Sequence, residues 1–145
     1  MRSINGRIEP QGPFLDTTVM ATPQHVARLK QARRPAPHPV SIRTLIDTGA
    51  SGCVLDFGIV ARLGLIQTGR TKIHTSTTGP GYEERDQFDA NIFISTPDQG
   101  VASFVVSVVG ADLASEGFLG IVGWDVLFKC VLICDGPAKS FRLEF

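Results

Sequence analysis

The chain lacks net charge: 14 Lys and Arg residues balance 14 Asp and Glu over 145 residues. That leaves no general electrostatic case for nucleic acid or an anionic membrane as a partner. Long apolar runs are missing too. None approaches the roughly 20 residues of a membrane span, and Met1 to Gly12 holds nothing like the apolar part of a secretory signal. Cysteine is scarce, with three residues in no framework pattern. An odd, unpatterned set suits a reducing compartment, so a cytoplasmic location is expected by default. His25, His38 and His74 have neither triad nor metal spacing and read as surface residues. No metal site and no cofactor is expected. Gly117, Gly120 and Gly123 fit neither the dinucleotide nor the P-loop pattern.

What is present is a core. Apolar residues make up 43 % of the chain, enough for a single domain that buries about two-thirds of its unfolded surface. Strand character marks Phe14 to Met20, Val40 to Ile46, Cys53 to Leu55 and the β-branched run Val101 to Val109. Thr71 to Ile94 reads as a long hairpin with turn chemistry at Thr78-Gly79-Pro80-Gly81. Val131 to Cys134, a turn at Asp135-Gly136-Pro137, and Phe141 to Phe145 read as a closing hairpin. Two short helices are expected. One is capped by Thr22 with Pro23 in first place and ends at the prolines 35, 37 and 39. The other is capped by Asp56 and closed by Gly64. Asp125 to Lys129 is a short helix at most. Arg28, Lys30, Arg33 and Arg34 read as a solvated helix face. Cys53, Cys130 and Cys134 read as core. Residues 1–12 are left as an N-terminal segment, and 13–145 as a mainly β domain with a helical insertion near 22–38.

One stretch carries chemistry: Leu45-Ile46-Asp47-Thr48-Gly49-Ala50-Ser51. An apolar strand ends in an acid and then turns sharply, which holds one carboxylate in a fixed place. Two carboxylates sharing one proton can hydrolyse a peptide bond, because like charges push their pKa values apart and leave one base and one acid. Backbone amides and hydroxyls must hold such an acid, so Thr48, Gly49 and Ser51 beside Asp47 are chemically sensible.

These residues resemble the active-site loop of retropepsin-like aspartic proteases, retroviral and bacterial. Phe118-Leu119-Gly120-Ile121-Val122-Gly123-Trp124-Asp125-Val126-Leu127 resembles the second signature of that family. The glycine-rich hairpin from Thr75 to Tyr82 falls where the family carries its substrate-covering flap. The resemblance spans about Phe14 to Phe145 and implies a retropepsin-like closed β domain, the single-lobe acid protease fold. It implies that Asp47 is catalytic and that Thr48 bonds across a dimer axis. The Gly49 carbonyl would contact bound peptide, Ser51 would support the Asp47 carboxylate, and Ala50 completes the loop. Thr77, Thr78 and Gly79 would lie near the flap tip, and Gly123 and Asp125 would be mainly structural. Trp124 departs from the Arg common at its position, where an ion pair can form near the dimer interface.

The function this implies is an aspartic endopeptidase, with one Asp from each subunit of a homodimer acting on a peptide or protein substrate. The alternative is a retropepsin-fold binding or scaffold module without hydrolysis. Other readings of single residues stand beside these. Asp47 could be a turn residue, and Asp125 a second acid within one chain or a helix cap. Phe141, Leu143 and Phe145 place apolar residues on one face of the last strand. An exposed strand of that kind would form part of a dimer interface.

Overall fold

The computed structural model describes residues 1–74 and 79–145. Among these residues ten strands form one continuous sheet in the order β5-β6-β7-β4-β8-β3-β2-β1-β10-β9. They are β1 (Ser3–Glu9), β2 (Gly12–Met20), β3 (Val40–Ile46), β4 (Val54–Asp56), β5 (Gln67–Ile73), β6 (Glu83–Ser95), β7 (Val101–Ala111), β8 (Gly120–Val122), β9 (Val131–Asp135) and β10 (Ser140–Glu144). A further pairing of β2 with β6, Val19 opposite Ile92, closes the six strands from β6 to β2 into a barrel. Alternation builds its interior. Ala90, Ile92 and Ile94 of β6 and Phe104, Val106 and Val108 of β7 are buried, as are Val40, Ile42 and Ile46 of β3. Apart from Ala90, each such side chain contributes about 1.5–3 kcal/mol relative to exposure.

Three short α-helices occur among the described residues, where two were expected: α1 (Pro23–Gln31), α2 (Phe57–Arg62) and α3 (Trp124–Leu127). The expected caps are in place. The Thr22 hydroxyl accepts from the His25 amide, and the Asp56 carboxylate accepts from the Gly58 amide. Gly64 follows α2 in the left-handed region, at φ +58. Helix α1 and the proline run connect β2 and β3, which are antiparallel neighbours, and α1 keeps its basic residues in water.

Three readings need correction near the chain ends. Residues 3–9, assigned no element from the sequence, form β1, which pairs with the whole of β10. The hidden signal is Gly6, which stands where an apolar residue would complete the alternation of Ile4 and Ile8. The ring of Phe141 fills that space, and a Cβ on Gly6 would come within 2.4 Å of it. Strand β10 is therefore not an exposed edge. It lies between β1 and β9, with Phe141 and Leu143 buried in the chain's own core. At this end of the sheet the edge strand is β9, which leaves Val131, Ile133 and Cys134 exposed; β5 is the edge at the other end. Cys134 is exposed here, not core, and Cys130 is only half-buried.

Candidate active site

Strands β3 and β8 run parallel, with Leu45 beside Ile121 and Ile46 beside Val122. Each ends in one of the two sequence motifs. The Asp47 amide donates to the Val122 carbonyl at 3.0 Å, so the acid leaves β3 level with the end of β8. Residues 47–53 then cross over that end to reach β4, which pairs with the opposite side of β8.

The crossing explains Gly123. A Cβ there would stand 2.6 Å from the Gly52 carbonyl oxygen and 2.7 Å from that of Ala50. Only a residue without a side chain lets the loop pass. The next residue fastens it, since the Trp124 amide donates to the Ala50 carbonyl at 3.0 Å. The Trp124 indole N–H donates to the Thr48 carbonyl at 2.6 Å. Asp125 holds the far end. One of its oxygens accepts from the Cys53 amide at 3.0 Å, the other from the Val126 amide at 2.9 Å and the Cys53 thiol at 3.0 Å. Burial pushes the Cys53 thiol well above its usual range, and the Asp125 charge adds to this. Cys53 therefore stays a protonated donor.

Within the loop, the Gly49 amide donates to Asp47 Oδ1 at 2.8 Å, and the Ala50 amide donates to the Asp47 carbonyl at 3.2 Å. Asp47 is half-buried, while Thr48, Gly49 and Ser51 face solvent. Among the described residues no hydrogen bond joins Ser51 to Asp47; the Gly49 amide holds the carboxylate instead. The two sequence motifs are thus one structure, with the first loop threaded over the second and tied at Thr48, Ala50 and Cys53. Both Asp125 oxygens are engaged in those ties. Thr77 and Thr78 lie outside the described residues. Gly79 has φ +59, and beside it His74 Nδ1 sits 2.6 Å from the Gly81 carbonyl oxygen. Among the described residues no cluster of three or more His, Cys, Asp or Glu could hold a metal ion. No described helix is long and apolar enough to cross a membrane.

Sequence reasoning missed the tie from Trp124 to Thr48, the bond from Cys53 to Asp125, and an apolar surface. Phe128 is 82 % exposed, and its ring lies 5.1 Å from that of Trp124. Val131 and Ile133 continue the exposed apolar residues into the free edge of β9. A signal did exist. Helix α3 buries Val126 and Leu127 on one face, so Trp124 and Phe128, four residues apart, are more apolar residues than one buried face can use.

No protein-family model and no curated protein matches the sequence. Solved structures do. The chain is similar to a retropepsin-like aspartic protease from Rickettsia conorii, with TM-score 0.61 and 17 % identity, over 99 % of this chain and 90 % of that one. The retroviral protease-like domain of Ddi1 from Leishmania major aligns with TM-score 0.42 and 14 % identity, over 77 % of this chain and 88 % of that one. The closed six-stranded barrel accords with the first of these: the chain has the single-lobe β fold of the retropepsin-like aspartic proteases.

Proposed function

We propose that this chain is an aspartic endopeptidase whose catalytic pair is Asp47 and the copy of Asp47 in a second subunit. The observation that carries this reading is the division of labour between two acids. Asp125 is engaged at both oxygens in holding the loop, whereas among the described residues Asp47 accepts a single amide bond, on one oxygen. One chain therefore offers one working carboxylate, and the reaction wants two. A two-fold axis through the loops supplies the second.

In the pair, one carboxylate takes a proton from water as the water attacks the peptide carbonyl. The other donates its proton to the carbonyl oxygen. The tetrahedral intermediate then collapses as a proton passes to the leaving amine. In this reading Thr48 bonds its copy across the axis, the Gly49 carbonyl contacts the peptide backbone, and Gly79 lies over the bound chain.

The second copy would seat on the exposed face of Trp124, Phe128, Val131 and Ile133. This face joins the Asp47 loop directly, through Trp124 and Thr48. The test is cleavage of a peptide library by the wild type and by Asp47→Asn. The amide is nearly isosteric but cannot exchange the proton, so activity should fall by at least about 10²-fold in a folded protein. Equal cleavage by the two proteins would remove Asp47 from the mechanism. A folded wild type that binds peptides and cleaves none would instead support the scaffold alternative.

A further inference from the structure

Trp124 is the single tryptophan of the chain, and it faces two ways. Its amide and its indole N–H hold the carbonyls of Ala50 and Thr48, which flank Gly49, whose amide bonds the Asp47 carboxylate. Its ring rests against Phe128, 37 % exposed itself beside a phenylalanine that is 82 % exposed. An indole that holds a backbone carbonyl while half open to water can exchange that bond for one to solvent. A protein surface seated on the Trp124–Phe128 pair removes the competing water, and a desolvated bond is stronger.

We propose that Trp124 is a positioning residue that couples assembly to the active-site loop. Its indole N–H sets the Thr48 carbonyl and hence the Asp47 loop, and the second copy locks it by covering the ring and Phe128. The proposal rests on the homodimeric reading above. Residue 124 carries no charge, so its tie to Thr48 is a neutral bond whose strength depends on how much water reaches it.

Three measurements test it, two of them without catalysis. In the wild type, the indole N–H should exchange slowly with solvent in the assembled protein. It should be unprotected, and the tryptophan emission red-shifted, on dilution below the midpoint seen by sedimentation. Emission that ignores concentration across that midpoint, or an unprotected indole proton in the dimer, overturns the coupling. In Trp124→Phe, which keeps an aromatic face against Phe128 but loses the donor, the bonded amides of Gly49 and Ala50 should exchange about tenfold faster, the factor that one lost hydrogen bond predicts. Peptide kcat should fall about as much while KM stays nearly constant. Wild-type exchange and kcat in that variant sink the positioning role. A wild type without Asp47-dependent cleavage would sink the peptidase reading, while the exchange data would still decide the role of Trp124.

Discussion

A Cβ on Gly123 would sit 2.7 Å from the carbonyl oxygen of Ala50, closer than real side-chain carbons approach any atom. Two backbone segments distant in sequence cross there without a side chain between them, and the candidate acid hangs from the crossing. Gly123→Ala must push the Asp47 loop away. Overpacking of this kind costs about 1–3 kcal/mol. The variant should show a lower denaturant midpoint with an unchanged m-value, and a larger loss of cleavage than of stability. A variant as stable and active as the wild type would mean that the crossing is looser than described.

Asp125 and Asp47 should part company under mutation. Asp125→Ala leaves the buried Cys53 amide without a partner, a loss of about 1–3 kcal/mol. Asp125→Asn keeps an oxygen for that amide and should retain most stability and measurable cleavage, unlike Asp47→Asn. Cleavage abolished equally by Asp125→Asn in a fully stable protein would reinstate Asp125 as a second acid within one chain.

Assembly should depend on the α3–β9 face. Phe128→Asp and Ile133→Lys alter exposed residues, so stability should move by only about 0.5 kcal/mol. If the wild type assembles as proposed, both should sediment as monomers at concentrations where it dimerises, and cleave little. Wild-type activity from a monomeric variant would defeat the shared site. Truncation after Gly136 cannot serve as this test, because it removes Phe141 and Leu143 from the core.

Stability should also respond to acid through Asp56. Burial works to raise its pKa, but the amides of Leu113, Gly58 and Ala114 outweigh it, and the net direction is down. A carboxylate with a lowered folded value contributes stability above its unfolded value and loses it as pH falls through the folded one. Urea midpoints of the wild type should decline across the acidic range. Asp56→Asn should start lower and decline less steeply there. Parallel curves would assign the acid sensitivity to other groups.

The sequence alone determined the β class, the caps at Thr22 and Asp56, the strand from Val40 to Ile46 and the acid at its end. Each depends on neighbours along the chain: alternation, a turn residue, a hydroxyl or carboxylate before a helix. Tertiary structure decided what depends on residues far apart. Strand β1 was invisible because Phe141 fills the place of a side chain at Gly6. The C-terminal strand proved interior because β1 and β9 flank it, which moved the open apolar surface to Phe128, Val131 and Ile133. The ties from Trp124 to Thr48 and from Asp125 to Cys53 span more than 70 positions, since each pair is 76 and 72 residues apart. Local pattern carries no record of such contacts. They arise only when parallel pairing of β3 and β8 brings the two loops to one end of the barrel.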